Sequence, residues 1–153
     1  LGKQFEDYFS ELQADMVSIC LEYASDQADK IYIYCSIEEG LISNDFFYNI
    51  GGRIVERHKL NDALENDTGF SYDVSVSRQK AVVKIINENI KEMIELCKKY
   101  DREMPTEIKI IYDVIENKLK ADYKYELVHT DDPSKTASSI SKYWFEDIKM
   151  DNN

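Results

Sequence analysis

The segment KIYIYCSIEEG, Lys30 to Gly40, ends in two adjacent carboxylates, Glu38 and Glu39, and Asp45 follows shortly after. Carboxylates brought together can act as a general acid and base, hold a divalent cation, or present negative charge to a basic partner. At the end of a strand they can also be merely solvated. Neighbouring residues on a strand point to opposite faces, so Glu38 and Glu39 cannot form a close acid–base pair by themselves. A small metal-dependent hydrolase built on Glu38, Glu39 and Asp45 would need the fold to reunite side chains that the local backbone separates. The two histidines, His58 and His129, have no cysteine or carboxylate at ligand spacing. The sequence contains no glycine-rich phosphate loop, no HExxH, no Gly-x-Ser-x-Gly and no EF-hand loop. The expectation is a protein without cofactor or metal that is not an enzyme.

Charge points elsewhere. The formal net charge is −11, which disfavours direct nucleic-acid binding because phosphates need Lys and Arg to displace counterions. The excess is concentrated: residues 1–45 hold Lys3 and Lys30 against ten carboxylates. On a helix, Asp7, Glu11, Asp15 and Glu22 would share one face, opposite an apolar stripe of Phe5, Phe9, Leu12, Met16, Ile19, Cys20 and Tyr23. A solvated face ordinarily mixes signs, because like charges four apart weaken a helix. An acidic face is tolerated where a cationic partner relieves the repulsion. The candidate partner-binding residues are therefore Asp7, Glu11, Asp15 and Glu22, with Asp29, Glu38, Glu39 and Asp45 at strand ends. Tyr32 and Tyr34 are candidate aromatic anchors. Glu38 is in phase with these tyrosines, so it is the better placed of the two adjacent glutamates and Glu39 the bystander.

The elements that must position these residues follow from periodicity. The 153 residues, 43% hydrophobic and with five Gly and two Pro, suit a single folded domain over 1–153. A helix over 3–24 precedes the strand that begins at Lys30. In that strand Ile31, Ile33, Cys35 and Ile37 alternate with Tyr32, Tyr34 and Ser36. After a loop come strands over Asp45–Ile50 and Arg53–His58, joined at Gly51-Gly52, a hairpin signal. Asn61–Gly69 reads as a loop. A long helix runs from about Val74 to Tyr100, with Ser75 or Ser77 as N-cap and a stop before Pro105. Glu107–Asp113 and Lys118–Glu126 alternate as strands, and a last helix starts at Asp131-Asp132-Pro133-Ser134 and reaches about Ile148. The order α-β-β-β-α-β-β-α predicts an α+β fold, an antiparallel sheet of about five strands with helices packed on one face. Cys20, Cys35 and Cys97 are an odd, widely spaced set and fit apolar positions, which suits free thiols in a reducing cytoplasm. No apolar run is long enough to cross a bilayer and no signal-peptide pattern opens the sequence, so a cytoplasmic location is expected.

The segments DKIYIYCSIEEG, DFFYNIGG, TEIKIIYDVIENKLKADYKYE and ISKYWFEDI, spread over nearly the whole chain, resemble the YezG-like family of bacterial immunity proteins. The chain departs from that pattern at Gln27-Ala28-Asp29 and Pro105-Thr106, where the family commonly carries Trp and Trp-Thr. The resemblance implies a cytoplasmic antitoxin of a secreted polymorphic toxin. The partner would be a cognate toxin, a nuclease whose basic active site or neighbouring groove the acidic protein occupies. It implies no contact residues. Two rival readings remain at this point: the hydrolase above, and a regulatory scaffold that binds a basic protein other than a toxin.

Overall fold

A computed structural model describes residues 2–65 and 69–152. Helix α1 spans Phe5–Tyr23, strands β1, β2 and β3 span Lys30–Glu38, Leu41–Ile50 and Arg53–Glu56, and a 3-10 helix covers Arg57–Ala63. Helix α2 spans Val76–Lys99, strands β4 and β5 span Glu107–Asp113 and Lys118–Lys124, and helix α3 spans Ala137–Asp151. The strands form one antiparallel sheet in the order β3-β2-β1-β4-β5. Fold class and element order are as the sequence predicts. Several local boundaries differ: β5 ends at Lys124 and not Glu126, and the last helix starts at Ala137 and not within Asp131–Ser134. The strand expected to reach His58 turns into the 3-10 helix after Glu56, and that helix also takes the start of the expected Asn61–Gly69 loop. Residues 66–68 of that loop lie outside the described residues.

The first two strands meet at Glu39-Gly40, where a two-residue turn has φ of 50° and 81°. Gly51-Gly52 repeats the arrangement between β2 and β3, with φ of 61° and 87°. Two consecutive positive φ values match the right-handed twist of a hairpin, which is why Gly recurs there. The second strand therefore begins directly at Leu41, without the loop expected before Asp45.

Alternation along β1 divides the interior in two. Ile31, Ile33, Cys35 and Ile37 lie against Phe46, Tyr48, Ile108 and Ile110 of neighbouring strands, and α1 and α2 cover that face. Helix α2 starts after Ser75, as expected, and buries Val82, Ile86, Ile90, Met93 and Cys97. Helix α1 has no basic residue in its last turn. Arg78 of α2 serves instead, donating to the Tyr23 and Glu22 carbonyls at 2.9 and 3.1 Å. The buried Tyr48 hydroxyl donates to the Cys20 carbonyl at 2.6 Å, tying α1 to the sheet. Tyr48→Phe is expected to cost about 1 kcal/mol in urea-unfolding free energy, the net worth of one neutral hydrogen bond.

The other face of the sheet is also covered, which corrects the expectation that all helices share one side. Tyr32, Tyr34, Phe47 and Ile54 form a second apolar cluster sealed by Trp144, with Ile140, Phe145 and Ile148 at its margin. Tyr32 stacks on Phe47 at 4.7 Å between centroids, and Trp144 meets Phe47 edge-on at 5.2 Å. The physical reason is that the second face of β1 and β2 carries large aromatic side chains, Tyr32, Tyr34 and Phe47, which Trp144 of α3 folds back to bury.

Candidate functional site

On α1 the acidic residues lie on the outer side, but most have local partners. Asp7 accepts the Gln4 backbone amide at 2.8 Å and closes the helix start. Glu11 pairs with Lys3 at 2.7 Å, and Glu6 with Arg102 at 3.1 Å. All four side chains are at least half exposed, so water and salt screen these pairs and a stronger cationic partner can exchange with them. Asp15 accepts the Asn89 side-chain amide of α2 at 2.8 Å, which fixes the seam between the two helices. Glu22 is exposed, and among the described residues its carboxylate has no partner.

The seam adds a residue that sequence reasoning missed. Tyr8, Glu11, Leu12, Glu92 and Leu96 line one open crevice between α1 and α2. Glu92 thus lies across the crevice from Glu11, with Asp15 one turn further along α1 and Tyr8 37% exposed beside Glu11. Glu92 is far from α1 in sequence, and the packing of α1 on α2, to which the Asp15–Asn89 bond contributes, brings it there.

The strand-end residues do not join this surface. Asp29 accepts the Gly51 amide at 2.9 Å and braces the second hairpin. Asp45 lies opposite Tyr34 on the face beneath α3, while α1 covers the other face. It pairs with Arg57 at 3.1 Å and accepts the Phe46 amide at 2.8 Å. Burial pushes its carboxyl above the ordinary aspartate range, against the lowering effect of Arg57. Tyr32 and Tyr34 are 3% and 1% exposed, so they are core residues under α3 and not anchors for a partner. The Tyr34 hydroxyl donates to buried Glu107 at 2.7 Å, and burial followed by that carboxylate raises its pKa far above the ordinary tyrosine value.

Glu38 and Glu39 exchange the roles expected of them. Glu39 is exposed in the turn, and Glu38 is 1% exposed. The Glu38 carboxylate is enclosed by the chain itself. It accepts the Thr130 hydroxyl at 2.6 Å and the amides of Val128, Thr130 and His129 at 3.0, 3.1 and 3.3 Å. Burial alone would raise its pKa, but these bonds together outweigh burial and hold it below the ordinary glutamate value. Its function is to fasten the segment before α3 to the end of the sheet.

Ser36, His129 and Glu38 meet nearby, yet their geometry is not that of an activated nucleophile. Ser36 Oγ lies 3.1 Å and Glu38 Oε2 3.4 Å from the same atom, His129 Nε2. A catalytic triad needs the hydroxyl on one ring nitrogen and the carboxylate on the other. Ser36 is moreover 2% exposed. The carboxylates of the hydrolase reading do not converge either. Asp45 is opposite Tyr34, and Glu38 lies four residues further along β1, about 13 Å at the rise of a strand. Among the described residues no group of three or more His, Cys, Asp or Glu side chains could hold a metal ion.

The chain matches no model of a known protein family and no curated protein sequence. The geometry accordingly carries the functional reading. Of the ten residues singled out from sequence, Glu11 and Asp15 share one open acidic edge. Asp7 and Glu22 lie further along the same helix, and Glu39 is exposed at the far end of the first hairpin. Asp29, Asp45 and Glu38 brace the fold, and Tyr32 and Tyr34 fill its second core. Cys20, Cys35 and Cys97 are free and buried. No helix among the described residues is long and apolar enough to cross a membrane.

Proposed function

We propose that the chain is an immunity protein, which acts in the cytoplasm and neutralises a cognate secreted toxin, a nuclease, by stoichiometric binding. The observation that carries this reading is the acidic edge of Glu11, Asp15 and Glu92 beside the exposed Tyr8. The negative charge concentrated in the first 45 residues supports it, as does the resemblance of four segments to YezG-like immunity proteins. A nuclease holds phosphates with basic groups, and an acidic edge fits the same groups. Opposite fields accelerate encounter, so the toxin would be captured before it cuts nucleic acid. Tyr8, at the end of the edge beside Glu11, supplies apolar area with a hydrogen-bonding tip.

The reading requires a toxin encoded beside the protein, and co-expression with it tests this. The wild-type chain is expected to restore growth. Glu11→Lys, Asp15→Lys and Glu92→Lys together are expected to abolish protection, with binding weakened on the order of a hundredfold. Glu39→Lys, at the far hairpin, is expected to protect as well as wild type. Full protection by the triple variant would remove this edge from the interface. Failure of the wild-type chain to protect would remove the immunity role.

A further inference from the structure

We infer that the free edge of β5 pairs with β5 of a second copy, joining two five-stranded sheets into one across a two-fold axis at Ala121. Strand β5 is the outermost strand on its side and offers seven residues, Lys118–Lys124, with one edge unpaired. The opposite edge, β3, is four residues long and runs at once into a 3-10 helix. An open edge is a template for another strand, and natural edges are usually blocked by charge or covered.

The charges on β5 do not block self-pairing in one register. With Ala121 on the axis, Lys120 of each copy faces Asp122 of the other, giving two opposite-charge pairs, and Leu119 faces Tyr123. Leu119 and Tyr123 are 39% and 40% exposed on the side where α1 packs, so this pairing would extend the main core of each copy towards the other. The register joins the full length of both strands. Its two like-charge pairs, Lys118 of each copy against Lys124 of the other, fall at the strand ends. There each lysine already faces a carboxylate of its own β4: Asp113 lies opposite Lys118, and Glu107 is 3.9 Å from Lys124. Moving the axis to Lys120 or to Asp122 sets two identical charges against each other at the centre. Paired antiparallel residues point to the same face of the sheet, which rules out the registers between these.

Sedimentation of the full chain tests the pairing independently of any toxin. At high micromolar concentration the wild type is expected to sediment as a dimer. Lys120→Asp replaces both opposite-charge pairs with facing carboxylates and is expected to weaken dimerisation about tenfold or more, with the circular-dichroism spectrum unchanged. Asp122→Lys, which makes both pairs cationic, is expected to do the same. The double variant K120D/D122K restores opposite charges in reversed order and is expected to return dimerisation to near the wild-type value. A wild type that stays monomeric overturns the proposal. So does a dimer indifferent to Lys120→Asp, or a double variant that fails to recover.

Discussion

Glu38→Gln is expected to lower the unfolding free energy by about 3 kcal/mol, although it conserves the size of the side chain. The carboxylate accepts one hydroxyl and three backbone amides from residues 128–130. Glutamine offers one acceptor oxygen and turns an NH2 group towards donors, so buried amides lose their partners. Glu39→Gln, one residue away and exposed in the turn, is expected to change stability by less than about 0.5 kcal/mol. The effect of Glu38→Gln also depends on pH. The folded-state pKa of Glu38 is held below its ordinary value of 4.5, so its stabilisation is fully present above that value and is lost as pH falls through the lower, folded value. Urea unfolding near neutral pH should therefore separate wild type from Glu38→Gln, and the gap should narrow below about pH 4.5. A gap that stays constant with pH would contradict the role of the ionised carboxylate.

Trp144→Ala is the second large effect, expected at about 3–4 kcal/mol. Helix α3 buries only Trp144 and Ser141, so a single indole anchors the helix to the outer face of the sheet. That ring lies 5.2, 5.9 and 6.2 Å from the rings of Phe47, Tyr32 and Tyr34, with the Lys109 ammonium 5.5 Å from its centroid. The main core lies on the other face of the sheet and includes none of these groups, so the loss should be local. Hydrogen exchange of the variant should show lost protection over Ala137–Asp151, with β1, β2 and β4 still protected. Uniform loss throughout the chain would show instead that the two cores unfold as one. Trp144 is the sole tryptophan, so its fluorescence in the wild type reports directly on α3 docking.

These two residues also show what periodicity conveys and what it does not. Alternation in β1 correctly separates Ile31, Ile33, Cys35 and Ile37 from Tyr32, Tyr34 and Ser36. It does not say whether the second face meets solvent, because that depends on where a helix more than a hundred residues away folds back. Tyr32 and Tyr34 were therefore legible as a set but not as core. Glu38 and Glu39 reversed for a related reason. The strand pattern places Glu38 on the tyrosine face, but whether that position is open depends on Val128–Thr130. Glu39 gained its exposure from a turn with positive φ that the Glu-Gly pair permits. Strands β4 and the start of β5 were legible because their alternation is clean and their partners adjacent. The acidic stripe of α1 was legible in the same way, while Glu92 required the packing of α1 on α2.

The most direct measurement is a calorimetric titration, with this protein, of the catalytic domain of a toxin encoded beside it, the partner that the proposed function requires, at low and at raised salt. The account expects one protein chain bound per toxin chain, an affinity that weakens as salt rises, and loss of binding when Glu11, Asp15 and Glu92 are all changed to Lys. Absence of binding, or binding indifferent to both salt and the triple change, would contradict it.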